Sequence, residues 1–351
     1  DHMRERYHAE YAEGANAESG NDVHDAMLND AYFRFYSSVR YNAQEMVFRC
    51  VTPSIERNLQ DLNSKAAKIR NESSKNPQLN ELEIPRSVSA IDVHLAPGSY
   101  HSEFAEEDVA TGAIYDHSIN VFAYNQMGRN MDDIGFTMAN YIRLNYPDFK
   151  PERVLDAGCT VGHNTLPWKQ TYPDAHVTGV DISPPLLRYG AARAASMGVE
   201  VDFKQMNVTE LDYPDNHFDV VFSSMLLHEL PLKDIRAYIA EAFRVLKPGG
   251  LFLTMELPPN SKLEPYEQFY LDWDCYYNNE PFYKAFRDQD SKALCAQAGF
   301  ETATFFEFEA PRYTYMSEAE FIRELGQEAR YDNHTGTLTD GLHLSLIHIS
   351  E

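Results

Sequence analysis

The sequence predicts an α/β protein whose core is a doubly wound, mostly parallel sheet of seven strands. Two observations carry this prediction. From residue 152 onward, short apolar runs alternate with segments that have the periodicity of helices. These apolar runs lack the alternation of a half-buried strand, so we expect helices to cover the sheet on both faces. A chain of 351 residues is long enough for such a domain and an appended part.

Residues 23–150, which precede the sheet, are predicted to form a helical extension that acts as a lid. Four apolar residues recur there at helical spacing: Met27, Ala31, Phe35 and Val39. This spacing predicts a first helix over 24–50. Thr52 and Pro53 then offer an N-cap and a proline at the first helical position, so we expect a second helix to begin there. Residues 1–22 resemble a cloning scar followed by a polar, mobile segment.

The predicted sheet domain spans residues 151–343. Its five parallel strands are expected at 154–157, 176–181, 201–206, 218–223 and 251–256. Two late strands at 301–308 and 312–315 are expected to pair as a closing hairpin. Residues 258–285, between strand five and the late strands, form an insert rich in aromatic residues, which predicts a helical cap. Residues 344–351 resemble a translated sequencing adaptor, so we expect a non-native tail and leave them out of the fold.

The composition excludes several classes of function. The 54 acidic residues outnumber the 30 basic ones, which gives a net charge of −24. Binding to nucleic acid needs the reverse, because phosphates bind clustered Lys and Arg. No apolar stretch is long enough to span a bilayer, so we expect no membrane partner. The four cysteines are scattered without a C-x-x-C pair, which favours a reducing, cytoplasmic location over a disulfide framework or a zinc ribbon.

A glycine-containing turn, VLDAGCTVG, spans the end of the first predicted strand. Glycine lets a ligand approach main-chain atoms closely, and ligands of parallel sheets bind at this edge. Asp156 lies in this turn, and Asp181 ends the next strand, where its carboxylate can accept both hydroxyls of a ribose. A nicotinamide dinucleotide requires G-x-G-x-x-G, but Thr160 stands where the middle glycine would be. S-adenosylmethionine has no phosphate, and the two acids with Gly158 and Gly162 fit it better.

Four segments carry a resemblance to one enzyme family: VLDAGCTVG, VTGVDIS, FDVVFSSMLLHEL and LKPGGLFLTMEL. With these segments in the family's order, residues from about 150 to 310 resemble class I S-adenosylmethionine-dependent methyltransferases, which have a Rossmann-like fold. The resemblance implies S-adenosylmethionine as cofactor and S-adenosylhomocysteine as product. We expect the cofactor to contact Asp156, Gly158, Cys159, Gly162, Asp181, Ile182, Met206, Asn207, Val208, Ser223 and Arg129.

Three residues at the same edge of the sheet are candidate catalytic residues. His228 follows strand four in a stretch that is similar to the His-Asp-Trp segment of plant-type small-molecule O-methyltransferases, where the histidine deprotonates the acceptor hydroxyl. Glu229 takes the place of its acidic neighbour. Glu256 ends strand five and is predicted to hold a cationic or hydroxylated acceptor. The alternatives are that His228 packs or caps the next helix and that Glu256 forms a salt bridge at the rim.

Two further regions hold candidate acceptor contacts. The insert supplies Tyr270, Trp273, Asp274 and Tyr277, and the segment before strand one supplies Tyr115, Tyr124 and Asn125. An aromatic, acidic surface suits a cationic or aromatic small molecule. The alternative is that these rings form the core of the cap. Asp92, His94 and His101 lie close together in the sequence but lack the spacing of metal ligands, so we expect no metal.

The sequence therefore predicts an enzyme that transfers a methyl group from S-adenosylmethionine to the O, N or S atom of a small molecule in an enclosed pocket. We leave a homodimer open. One alternative is a protein methyltransferase, which a groove in place of a lid would favour. Another is a cofactor-binding module that no longer catalyses.

Overall fold

The computed structural model describes residues 2–11, 18–325 and, as backbone, 341–348. Its sheet has the order β3-β2-β1-β4-β5-β7-β6. The strands are β1 (Arg153–Ala157), β2 (His176–Asp181), β3 (Asp202–Gln205), β4 (Phe218–Ser224), β5 (Leu246–Met255), β6 (Phe305–Pro311) and β7 (Gly341–His348). The first five strands are parallel, and β7 runs antiparallel to both β5 and β6. The doubly wound α/β class is confirmed.

Helices lie before the sheet and between its strands. They are α1 (His2–Tyr11), α2 (Gly20–Met27), α3 (Ala31–Arg57), α4 (Leu59–Ser73), α5 (Arg86–Ser89), α6 (Ala110–Phe122), α7 (Asp133–Asn145), α8 (Thr165–Thr171), α9 (Pro184–Ser196), α10 (Leu232–Val245), α11 (Pro265–Tyr277), α12 (Tyr283–Arg287), α13 (Ser291–Ala298) and α14 (Glu318–Glu324).

The strands are buried on both faces, as their unbroken apolar runs predict. Neighbouring residues of a strand point to opposite faces. Val154 of β1 packs into a core with α7, α8 and α9, whereas the adjacent Leu155 packs into a core with α10 and α13. Both residues are fully buried. The carboxyl ends of the parallel strands are thereby held rigidly at one edge.

The helical extension differs from the prediction in the position where one helix ends and in the residues that it buries. The helix α3 continues through Pro53 and ends at Arg57, so the predicted new start at Thr52 is wrong. Phe35 and Val39 are exposed, whereas Phe33 is buried. The buried face also holds polar residues, including Ser37 and Gln44, which hydrogen-bond to neighbouring segments. A face that is partly polar has no clear apolar period.

The predicted closing hairpin is also wrong in its second strand. Residues Tyr313–Tyr315 form a 3₁₀ turn. Side chains of α7 hold this segment: Asp133 pairs with Arg312 at 2.6 Å, and Thr137 accepts a hydrogen bond from the Tyr313 amide at 3.0 Å. The strand that pairs with β6 is β7 instead, which includes residues 344–348 of the segment left out of the predicted fold. That these residues are non-native stays a prediction about their origin.

The extension and the insert pack against each other beside the sheet. Met27 and Phe33 of the extension share an apolar cluster with Phe269 and Trp273 of α11. The helix α6 packs on α9, so the extension contacts the sheet domain as well. Segments from three parts of the chain therefore meet near the carboxyl ends of the strands.

Candidate cofactor and acceptor site

The turn after β1 has a backbone shape that requires glycine at two positions. Gly158 has a φ of +74° and Gly162 a φ of +81°, both in the left-handed region. A Cβ atom on Gly158 would lie 2.8 Å from the side chain of Leu226, and one on Gly162 would lie 2.8 Å from Leu166 and from Phe203. The turn is therefore held close to its surroundings, with its main chain available to a ligand.

Two buried carboxyl groups flank this turn. Asp181 accepts hydrogen bonds from the amides of Thr160 at 3.0 Å and Ser183 at 2.9 Å. Burial raises the pKa of Asp181, although these amides oppose the shift. Asp156 accepts from the Thr165 hydroxyl at 2.6 Å, and burial raises the pKa of Asp156 to about 7. Asp181 thus lies against the turn, and its contact with a ribose stays a prediction.

The other predicted cofactor residues of the sheet lie at the same edge. The amide of Met206 donates to the carbonyl of Asp181 at 2.9 Å, which brings the segment after β3 beside that acid. Asn207 follows directly and accepts from the Thr209 amide at 3.0 Å. The remaining members are buried or half-buried around the turn: Cys159, Ile182, Val208 and Ser223.

The extension covers the turn through α6. The ring of Tyr115 lies 5.9 Å from that of His163 and 5.0 Å from that of Tyr100. Asp116 accepts hydrogen bonds from His163 at 2.6 Å and from the Tyr189 hydroxyl at 2.7 Å. Burial raises the pKa of Asp116, but the contact with His163 outweighs it and lowers the pKa to about 2. Sequence reasoning missed Tyr100, Asp116 and His163; the only signal was that His163 directly follows Gly162.

Three residues predicted from the same segment lie elsewhere. Tyr124, Asn125 and Arg129 are exposed on the loop between α6 and α7, and Tyr124 is 84% exposed. The structure does not bring them together with Tyr115. Their contacts with cofactor or acceptor stay predictions.

The four predicted acceptor residues of the insert all face the extension or one another. Trp273 donates to the Ser37 hydroxyl at 2.8 Å, and Asp274 pairs with Arg40 at 2.5 Å. The rings of Tyr270 and Tyr277 lie 5.4 Å and 6.0 Å from that of Trp273. These contacts favour the alternative that the rings are the core of the cap.

His228 lies in a 3₁₀ turn, Leu227–Glu229, directly after β4. It is buried, and its Nδ1 donates to Glu256 at 2.5 Å. The other oxygen of Glu256 accepts from the amides of Leu226 at 2.9 Å and Leu227 at 2.7 Å, so one carboxylate shapes the turn and orients the imidazole. Burial lowers the pKa of His228, but the carboxylate of Glu256 outweighs it and raises the pKa to about 9.

A further group of charged side chains surrounds Nε2 of His228. This atom lies 3.8 Å from a carboxylate oxygen of Glu229 and 3.8 Å from one of Glu280. His94 lies between the same two acids, 3.0 Å from Glu229 and 3.4 Å from Glu280. Asn278 places its amide nitrogen 2.7 Å from Nδ1 of His94. We refer to His94, Glu229, Glu280 and Asn278 as the His94 cluster.

The insert reaches the site through residues that the sequence analysis did not select. Asn278 and Glu280 follow α11 and are both buried. Glu280 Oε2 and Asn278 Oδ1 accept no hydrogen bond from the described residues. Leaving such an atom buried and unpaired costs about 1–3 kcal/mol. His94 has a φ of +54°, which a residue other than glycine rarely adopts.

Comparison with known proteins identifies the domain that holds the turn. A family model described as a methyltransferase domain matches residues 154–250. These residues are a class I S-adenosylmethionine-dependent methyltransferase domain.

Three relatives illustrate the likeness. The demethylmenaquinone methyltransferase of Thermus thermophilus is 34% identical over 32% of this chain and 50% of its own length. The ubiquinone/menaquinone biosynthesis C-methyltransferase of Vibrio cholerae is 32% identical over 44% of this chain and 66% of its own. Phosphoethanolamine N-methyltransferase 1 of Arabidopsis thaliana is 35% identical over 30% of this chain and 21% of its own.

The chain spans half of the Thermus relative's length and less than two thirds of each of the other two relatives. The family model matches residues 154–250 alone, so the extension and the whole insert lie outside it. Within the described ranges, no helix combines the length and the apolar composition that a membrane crossing requires.

Proposed function

We propose that the chain is an enzyme that transfers the methyl group of S-adenosylmethionine to a small molecule bound beside His228. The observation that carries this proposal is the position of Leu226. Its side chain packs against Gly158 of the cofactor turn, and its amide donates to Glu256, which orients His228. His228 and the carboxylate that orients it are therefore linked to the cofactor turn through Leu226.

The sulfonium already carries a good leaving group, so methyl transfer depends mainly on the alignment of the nucleophile. Orientation alone contributes about 7–11 kcal/mol to such a reaction. The surroundings of His228 support a role in orienting the nucleophile. The extension contributes His94 and Tyr100, and the insert contributes Glu280 and Tyr283. Tyr283 stacks on the His228 ring at 4.2 Å. Side chains that surround His228 from two further segments support a small acceptor over a protein.

Oxygen is the acceptor atom that the site supports best. Glu256 holds Nδ1 of His228, so Nε2 is the ring nitrogen that would take the proton of an acceptor hydroxyl, and the pKa of about 9 makes the neutral base form of His228 more abundant as the pH rises. In this arrangement Glu256 is the positioning residue. The relatives' names specify a C-methyltransferase and an N-methyltransferase, so they differ in the acceptor atom. The cytoplasmic location and the homodimer stay predictions from the sequence.

The cofactor part of the proposal is tested by calorimetry with S-adenosylhomocysteine. We expect binding by the full chain and at least about tenfold weaker binding by Asp181→Ala, since hydrogen bonds to a buried carboxylate are lost. The matched control is Asp174→Ala, which removes an exposed acid on the loop before β2. Equal affinity of Asp181→Ala and the parent would contradict the assignment.

The acceptor part is tested by screening small molecules with a readout of S-adenosylhomocysteine formation. Turnover with hydroxylated small molecules supports the proposal, and turnover with amines or thiols corrects the acceptor atom. Methylation of bulk protein instead would favour the protein methyltransferase. Tight cofactor binding without turnover on any acceptor would favour the non-catalytic module.

A further inference from the structure

The His94 cluster joins donor atoms from three parts of the chain. His94 comes from the extension, Glu229 from the turn after β4, and Glu280 from the insert. One donor atom from each residue lies within 4.8 Å of the other two. Imidazole nitrogen together with carboxylate oxygen is a ligand set that divalent transition metals prefer. These atoms are within reach of one ion once His94 exchanges its hydrogen bond to Glu229 or to Asn278 for a bond to the metal.

A second observation points to a missing ligand. Glu280 is 7% exposed and Asn278 is 2% exposed, yet Glu280 Oε2 and Asn278 Oδ1 accept no hydrogen bond among the described residues. Buried oxygens are nearly always paired with a donor, a water molecule or an ion. The amide of Asn278 also donates to the other oxygen of Glu280. The two oxygens that accept no hydrogen bond therefore belong to residues that contact each other.

The carboxylates of the cluster pair with histidines, which carry exchangeable protons rather than permanent charges. In the part of the chain that the structure describes, no Lys or Arg forms an ion pair with Glu229 or Glu280, and their partners are His94 and His228. Nε2 of His228 lies 3.8 Å from both acids, and its Nδ1 is held by Glu256. A cation bound by the two acids would therefore lie next to His228.

We propose that His94, Glu229 and Glu280 bind one divalent transition-metal ion, with Asn278 as a neutral oxygen donor beside them. An ion held there would lie beside His228 and would supply a Lewis acid for an oxygen of the methyl acceptor, a role that rests on the proposed function. The binding of the ion itself does not. Because its ligands come from the extension, the methyltransferase domain and the insert, the ion also ties these three parts together.

The test uses the full chain, stripped with a chelator and titrated with Zn²⁺ or Co²⁺ alone by calorimetry. We expect saturation near one ion per chain and a visible Co²⁺ absorption band from a site of nitrogen and oxygen donors. His94→Ala and Glu280→Gln should each weaken binding at least about tenfold. The matched control is His176→Ala, which removes an exposed histidine that also pairs with an acid, Asp202.

Two results would overturn the inference. One is the absence of saturable binding near one ion per chain, and the other is an equal loss of affinity in His176→Ala. Binding of S-adenosylhomocysteine by the stripped protein is measured in parallel, because it shows that each variant is folded. It also separates the two proposals: cofactor binding without metal binding overturns the metal site and leaves the proposed methyl transfer standing.

Discussion

The proposed cofactor edge and the proposed acceptor pocket lie side by side but are built in different ways. The cofactor edge uses short turns directly after β1, β2 and β3, with main-chain atoms, two glycines and two acids. The acceptor pocket uses side chains of His94, His228, Glu256 and Glu280, which are far apart in the sequence. The first depends on backbone shape and the second on the docking of three segments. We therefore expect substitutions in the two regions to affect different measurements.

The largest expected effect is in the acceptor pocket. His228→Ala should lower turnover by at least about 10²-fold, because the group that faces the acceptor is lost. Its affinity for S-adenosylhomocysteine, measured by calorimetry, should stay within about twofold of the parent, since the residue lies outside the cofactor turn. A comparable loss in cofactor affinity would break the division between the two regions.

The next effect concerns the pH dependence of stability at the cofactor edge. The pKa of Asp156 is about 7 in the fold and 3.8 as its ordinary value, so the folded state binds the proton more tightly. Its contribution is fully present below the ordinary pKa and is lost as the pH rises through the folded value. Asp156→Asn mimics the protonated acid.

We therefore expect the free energy of unfolding of Asp156→Asn, relative to that of the parent, to rise by roughly 3 kcal/mol when the pH goes from 5 to 8. Urea unfolding of the cofactor-free protein at both pH values measures this difference. Asp174→Asn, which changes an exposed acid, should show none of it. No difference between the two pH values would mean that Asp156 is already ionised in the fold at pH 5.

A smaller effect is expected from Gly158→Ala. The new residue must adopt a φ of +74° and its Cβ would lie 2.8 Å from Leu226, so the free energy of unfolding should fall by about 1–3 kcal/mol. Gly198→Ala is the matched control, because Gly198 has a φ of +68° and an added methyl group there would meet nothing within 4 Å. Thermal unfolding of the two variants separates the cost of the left-handed backbone, which both share, from the cost of the contact with Leu226, which only Gly158→Ala makes. Equal losses would show that contact with Leu226 contributes nothing.

The smallest effect is expected where the insert meets the extension. Ser37→Ala removes the acceptor of the Trp273 indole N–H, so the free energy of unfolding should fall by about 1 kcal/mol. The Michaelis constant for the acceptor should not change if Trp273 belongs to the core of the cap. A clear rise in that constant would instead indicate that Trp273 contacts the acceptor.

The same contrast explains what the sequence could predict. The turn containing Gly158 and the positions of Asp156 and Asp181 could be read from residues close together in one segment or at the ends of neighbouring strands. The His94 cluster could not, because its members come from three distant segments, whereas the neighbours of His94 in the sequence are Asp92 and His101. In the structure Asp92 instead accepts from the amide of Gly98 at 3.0 Å.

Burial was harder to predict in the extension than in the sheet. The strands are covered on both faces, so nearly any apolar residue in them is buried. The face of α3 was predicted from apolar spacing alone, and polar Ser37 and Gln44 are buried where Phe35 and Val39 are exposed. Likewise, side chains of α7 hold residues 312–315 in a turn, which no local strand preference reveals.

Leu226 makes the two halves of the reaction centre mechanically dependent on each other. Its side chain packs on the turn at Gly158 while its amide is fixed to Glu256. A nucleoside that displaces the turn by a fraction of an ångström must also shift this leucine, and with it the carboxylate that aims the imidazole. Any ligand that moves this turn therefore also moves the proposed acceptor site.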